Sequence, residues 1–470
     1  MMFKIAFRSI FRNSRRSIMT MLTIAVGGAA MLVFGAYAIY DVYVLQTSTI
    51  ERGGHLAVFR KGYLDFGTGS PAIWGIDKYP SELTLIERDP VLATLVAVAT
   101  PVQYLGGIAE NPDNQQSKTF FATGVVPSDL VRMEAWDEYH VGHDLVNNSG
   151  LDDSDPSLGI IGVGFARMLG LCERLRLPHC PKLPANAPSQ TGAAPDISSL
   201  PKQDFSRLAS RDVTTGTPGA NRKQVALDLL AATAGGAPNI VSMTVARVED
   251  QGNTEMDNSY AAMNLALAQQ LVYGRGEHKA TGIVLQLHRT EDIPAARARL
   301  AALVRERHLD LEIRDFMEIN AYYGQTIAVF RSFFLFIAVI IGVVVLFTVS
   351  NAMGMSVMER IDEIGTTRAL GVRRSKIRAQ FLAEGFLLGM MGATLAVAFA
   401  FLATYGVNNA GLTWTPTGDS HAIPLKLYML GAIDFIVAVW IVLTLVATLA
   451  AFLPANRAAR LPIVDALRHV

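Results

Sequence analysis

Three things are scarce or missing in this chain of 470 residues. Cysteine occurs twice, at Cys172 and Cys180, which leaves room for at most one intrachain disulfide. Net charge is zero, with Lys+Arg and Asp+Glu both at 41, so no basic field marks a nucleic-acid binder. No G-x-x-x-x-G-K-[ST] run occurs in the sequence, so any nucleotide phosphate chemistry is expected to come from a partner chain. No tandem repeat is visible. What the chain has in quantity is apolar length. Its mean hydropathy is positive, too high for an ordinary soluble enzyme, while its charged fraction of 17% is too high for a bundle of membrane helices alone. The composition therefore describes a protein that is part membrane and part soluble.

About 20 apolar residues cross a hydrocarbon core of roughly 30 Å at 1.5 Å per helical residue. Four windows meet that length, at 18–40, 333–353, 386–405 and 430–453. The fold class expected is thus an α-helical membrane protein with four transmembrane helices and a large mixed α+β domain, 41–331, between the first and second. The apolar stretch of the first window exceeds the 7 to 15 residues usual for a signal peptide, which predicts an uncleaved anchor despite the small-x-small triplet at Ala36–Ala38.

Orientation follows from Lys and Arg near the span ends. Lys4, Arg8, Arg12, Arg15 and Arg16 precede the first span; Arg360, Arg368, Arg373, Arg374, Lys376 and Arg378 lie between the second and third; Arg457, Arg460 and Arg468 follow the fourth. The 406–429 connection holds only Lys426. Both termini (the tail is 454–470) and the 354–385 connection are expected in the cytoplasm, and the large domain outside. Cys172 and Cys180 then sit in an oxidising compartment, where a disulfide is expected as a local staple contributing about 2.5 kcal/mol in the chain-entropy account.

Before the first span, Phe3, Phe7, Ile10 and Phe11 share one helical face opposite Lys4, Arg8, Arg12 and Arg15, which predicts an amphipathic interfacial helix over 1–17. A merely basic flank is compatible with the same residues. In the outer domain, 54–60 reads as a strand, 81–89 as a helix capped by Ser81, and 280–288, 291–308 and 310–314 as a βαβ unit. Residues 120–126 and 159–163 read as strands of a second lobe. The stretch 182–222, rich in Pro, Ser, Thr, Ala and Gly, reads as an inserted, loosely packed segment.

Other constellations are weak. His140, His143 and Asp144 have metal-like spacing, but spacing alone is a weak signal and no metal site is expected. Asp434, near the start of the fourth span, is placed to snorkel to the interface. Gly389, Gly392 and Ala393 offer a small-residue face for helix packing.

The informative segment is Met358-Glu-Arg-Ile-Asp-Glu-Ile-Gly-Thr-Thr-Arg-Ala-Leu-Gly-Val-Arg-Arg-Ser-Lys-Ile377, followed by Glu384 and Gly385. Arg360 and Glu363 can pair at helical spacing, and Gly365 and Gly371 permit breaks. A short charged helix flush with the membrane and a solvated charged loop both fit. Here the chain resembles the permease family that includes the lipoprotein-releasing LolC/LolE subunits, the macrolide exporter MacB and the division protein FtsX. Glu359, Arg360, Glu363, Ile364, Gly365, Arg368, Ala369, Leu370, Gly371 and Glu384 carry the resemblance. Two further blocks carry it too: Ala6, Arg8, Ser9, Arg12, Arg16 and Thr20 near the start, and Pro454, Ala455, Arg457, Ala458, Pro462, Ala466, Leu467 and Arg468 at the end. The 249–270 stretch, with Gly252, Glu255, Asp257, Ala268 and Gln269, is most similar to the LolC/LolE branch; 62–78 and 182–222 depart from the family pattern.

That resemblance implies a type VII ABC assembly in the bacterial inner membrane. It comprises a cytoplasmic ATPase dimer that binds ATP and Mg, this chain without a cofactor, and a second permease copy or paralogue. MacB itself carries a fused ATPase domain. The resemblance also implies an ATPase-coupling role for Glu359, Arg360, Glu363, Gly365, Arg368, Leu370, Gly371 and Arg374. An extraction machine must offer an amphiphile an apolar path, expected at Ala36, Tyr40, Phe333 and Phe336 near the outer ends of the first two spans, among membrane lipids. The cargo expected first is a lipoprotein; export of a peptide or small amphiphile with adaptor and outer-membrane partners, and control of a cell-wall hydrolase, are the alternatives.

Overall fold

The computed structural model describes residue 7 and residues 14–141, 150–177, 225–252, 254–415 and 422–461. Most of the expected 1–17 helix, the whole 182–222 segment, His143, Asp144 and Cys180 lie outside the described residues. The chain divides into two compact units. One is drawn from residues up to Val44, Tyr322–Trp414 and the residues from Ile423 onward; the other is centred on Leu45–Ala321.

The first helix, α1 (Ser14–Gly53), outruns its expected apolar window at both ends. In the α/β unit that follows, β1 (Leu56–Arg60) is buried on both faces. Leu56 and Val58 join one apolar core while Ala57 and Phe59 join another, as the two-residue period of a strand requires. Helix α2 (Tyr79–Glu87) opens two residues before Ser81. Pro80 takes the first turn, where its missing N–H costs nothing, and Ser81 Oγ donates back to the Lys78 carbonyl, so Ser81 does not cap the helix.

The long strand β2 (Val96–Asn111) organises the rest. Beyond it come β3 (Gln116–Val125), α3 (Pro127–Glu134), β4 (Leu158–Gly162), α4 (Val163–Met168), β5 (Val225–Ala232), β6 (Pro238–Glu249), β7 (Tyr260–Asn264), α5 (Leu265–Tyr273), β8 (Gly282–Leu287), α6 (Ile293–Glu306) and β9 (Leu311–Asp315). Strand order is β3-β7-β4-β6-β5-β2-β8-β1-β9, and β3 also pairs with β2. The far half of β2 therefore closes a six-stranded ring with β3, β7, β4, β6 and β5, which leaves no free edge there. Phe120, Phe165, Leu229, Met243 and Leu267 are among the side chains of its core. The near half of β2 pairs with β8 through Val96–Val102.

The expected βαβ unit is present in split form. β1 lies between β8 and β9, antiparallel to both, so β8 and β9 run parallel without touching, and α6 packs its Ala296, Leu300 and Leu303 against that sheet. The two lobes thus share β2.

One buried polar residue in this unit carried no sequence signal. His55 is fully buried; its Nδ1 accepts from the Leu287 N–H at 3.0 Å and its ring meets Trp136 edge-on. The ring proton therefore sits on Nε2, facing Thr290 Oγ1 at 3.3 Å. Burial pushes the His55 pKa down to about 3. Asp257, also buried, accepts from the backbone N–H groups of Val163 and Gly164 at the start of α4. Its pKa is raised by burial, against the lowering effect of those bonds.

The helical unit holds α7 (Ala321–Glu359), α8 (Ile361–Ala369), α9 (Arg374–Asn409), α10 (Ile433–Ala450) and α11 (Phe452–Arg460) along with the first part of α1. Among the described residues, four helices are long and apolar enough to cross a membrane. The expected small-residue face is used. A Cβ added at Gly389 would stand 2.7 Å from the Ala447 Cβ on α10, and one at Gly392 would stand 2.8 Å from the Ile24 Cβ on α1, so backbones approach as only glycine allows. Asp434 lies in the first turn of α10, where a carboxylate meets the positive end of the helix dipole.

Candidate functional site

The site is built from the connection between the second and third spans. Helix α7 stops at Glu359 because Arg360 leaves the helical region, at φ −118° and ψ 22°. The chain then restarts as α8, with Asp362 and Glu363 in its first turn, the end that favours negative charge. Gly365 sits buried within α8 and breaks nothing. The break comes at Gly371, whose φ is +88°. There the Val372 N–H reaches back to the Thr367 carbonyl and the Gly371 N–H to the Arg368 carbonyl. This pattern satisfies the last carbonyls of a helix and needs a left-handed residue at the turn. Arg374 opens α9 and is exposed.

Charge placement is the decisive feature. The local Arg360–Glu363 pair expected from spacing is replaced by a distant one. Arg360 Nη1 binds Glu384 Oε1 at 2.8 Å, with the two side chains only 6% and 3% exposed. Arg360 is the N-cap of α8, with its side chain turned toward Glu384 of α9. A buried cation also requires a desolvated partner. Arg368 faces α11: its Nη1 donates to the carbonyls of Ala459 at 3.1 Å and Leu461 at 2.8 Å. Glu359 accepts from Arg16 at 2.5 Å on the exposed side. One apolar core takes in Ile364 of α8, Ile377 and Phe381 of α9, and Ala455 and Ala458 of α11.

At the tip an apolar side chain stands beside the exposed Arg373 and Arg374. Leu370 is 86% exposed, held at the end of α8 by the bonding around Gly371. Of the expected cargo-path residues, Phe333 and Phe336 are exposed and Tyr40 is half-buried, whereas Ala36 is fully buried and offers no surface. Cys172 opens a single helical turn, Cys172–Leu175, and its pairing with Cys180, which lies outside the described residues, remains a proposal.

Residues 332–463 match the FtsX-like permease C-terminal family, a stretch that takes in α8, α9, α10, α11 and the contacts of Arg360 and Arg368. That stretch is similar to an FtsX-like permease domain. Over 213 residues it is 35% identical to the macrolide export ATP-binding/permease protein MacB of Shewanella sp. (strain W3-18-1), covering 44% of this chain and 30% of that protein. Over 193 residues it is 30% identical to the protein of the same name from Escherichia coli, covering 40% and 28%. The chain spans about a third of the length of these curated relatives. The FtsX-like match and these relatives support the type VII ABC permease family. The extracellular domain of the noncanonic ABC-type transporter YknZ from Gram-positive bacteria is also similar, at 12% identity and a TM-score of 0.29, covering 56% of this chain and all of that one.

Proposed function

We propose that this chain is the permease subunit of an ABC transporter in the bacterial inner membrane, driven by a separate cytoplasmic ATPase that binds ATP and Mg. The observation that carries the reading is the connection between the second and third spans. A short helix is fixed by a buried ion pair and a second charged anchor, and it presents one exposed leucine at its tip. Desolvating an ion pair costs several kcal/mol per ion. Orientation of α8 is a return that a passive loop would not need. In this reading Leu370 meets the ATPase, Arg360 and Glu384 hold the helix that bears it, and the α/β unit lies on the outer face, as the Lys/Arg bias suggests.

The cargo is amphiphilic. The MacB relatives, named as macrolide exporters, favour export of a small amphiphile or peptide; the likeness of residues 249–270 to the LolC/LolE branch favours lipoprotein release. A second permease copy or a paralogue completes the membrane core. Leu370→Asp should insert and fold as wild type yet lose stimulation of the ATPase purified in complex with the chain in nanodiscs. Full stimulation by that variant would overturn the coupling role. Photocrosslinkers at Tyr40 and Phe333 separate the cargo readings: nucleotide-dependent capture of lipoprotein supports release, while capture of a small amphiphile with lipoprotein traffic normal in a deletion strain supports export.

A further inference from the structure

We infer that Arg368 is a positioning residue which latches α8 onto the end of α11, so that α8, the start of α9 and α11 move as one body hinged to α7 at Arg360. The inference deepens the permease reading and rests on it.

Three joints close a mechanical loop. At the first, Arg368 donates to the last carbonyls of α11, at Ala459 and Leu461. A guanidinium there also meets the negative end of that helix. At the second, Gly385 of α9 lies against Ala451, the residue at which α10 hands over to α11; a Cβ on Gly385 would come within 2.5 Å of the Ala451 Cβ. At the third, Glu384, adjacent to Gly385, holds Arg360 at the start of α8. Ile364, Ile377, Phe381, Ala455 and Ala458 fill the space enclosed. A close-packed interior transmits displacement, so a push at Leu370 cannot turn α8 alone. Turning it would break charge-assisted hydrogen bonds at both ends of that helix.

The route toward α7 is different. The helix is interrupted at Arg360, and its apolar window is 11% buried against 33% or more for the other three. Motion of α8 is therefore delivered directly to the third and fourth spans, whereas α7 is reached across the Arg360 break, through the packing of Met353 and Val357 in the shared core.

The test uses the full chain in nanodiscs. Spin labels at Thr366 and Arg457, both exposed, report the α8–α11 distance by pulsed EPR without any ATPase. Wild type and Arg368→Lys, which keeps a donor, should give one narrow distribution; Arg368→Ala should broaden it. In the complex with ATPase, Arg368→Ala should lower stimulation by about fivefold or more with subunit affinity unchanged, and Arg368→Lys should restore most of it. A narrow distribution in Arg368→Ala, or broadening with wild-type stimulation, overturns the inference. Wild-type chain that stimulates no ATPase overturns the permease reading instead, and the distance measurement still judges the latch.

Discussion

Removing the Glu384 carboxylate should be among the most damaging single changes available in the helical unit. Arg360 and Glu384 are 6% and 3% exposed and 2.8 Å apart, so Glu384→Ala removes the carboxylate bonded to a desolvated guanidinium. Breaking a buried pair from one side costs about 3–5 kcal/mol, whereas replacing both partners by apolar residues of similar volume is often neutral. We expect Glu384→Ala and Arg360→Met each to lower the melting temperature of the nanodisc-embedded chain by several degrees, and the double variant Arg360→Met/Glu384→Leu to recover most of that loss. The same series measured for ATPase stimulation separates stability from orientation. The double variant should be stable but poorly coupled, since an apolar contact does not fix the angle of α8 as a charged hydrogen bond does. A Glu384→Ala protein that melts with wild type would refute the burial argument. A stable double variant with full coupling would refute the orienting role.

Three further outcomes concern the rest of the molecule. His55 is held neutral, with its pKa pushed down to about 3 by burial, so the unfolded chain binds the extra proton between roughly pH 6.5 and 3; stability is full above that window and falls by about 1.4 kcal/mol per pH unit within it. The urea midpoint at pH 5 should therefore drop below that at pH 7.5, and the drop should shrink in His55→Gln; equal drops would exclude His55 as its source. Gly389→Leu should separate α9 from α10, since an added Cβ already lies 2.7 Å from the Ala447 Cβ; overpacking of this kind costs about 1–3 kcal/mol, and unchanged melting would show that the helices part freely. Peptide mapping without reductant should find Cys172 bonded to Cys180, and recovery of both as alkylatable thiols would remove the staple.

The membrane-crossing helices are legible in the sequence because a bilayer dictates a length of unbroken apolar residues that a soluble core rarely needs. Strands such as β1 and β8 are legible from local pattern, but their neighbours are not. That β1 enters between β8 and β9, or that β2 is long enough to serve both a closed ring and an open sheet, depends on pairings across more than a hundred residues. Ser81 shows how a local rule fails when a better one is adjacent, since Pro80 fills the first turn of α2 and moves the start of the helix upstream of the expected cap. His55 gives no signal at all, because a lone histidine beside a strand reads the same whether its ring is buried or exposed.

The connecting segment stands out in the sequence, but its wiring does not, and the reason is the energy scale of its charges. A pairing at i,i+3 on an exposed helix is worth a few tenths of a kcal/mol, too little to decide where Arg360 goes once a buried carboxylate 24 residues away offers a desolvated contact. Arg368 poses the same problem more sharply. A cation in the last turn of α8 is by sequence a partner for the dipole of its own helix, yet Gly371 already lets the backbone of α8 satisfy two of its own last carbonyls, and the guanidinium is free to serve α11. The charges of this segment thus include two cations that face inward and set geometry. Its most exposed large apolar side chain is Leu370. For a surface proposed to bind a partner and transmit force, that division is physically sensible. Buried charged bonds resist rotation because they are directional, whereas an apolar tip seats in a pocket with little directional demand of its own.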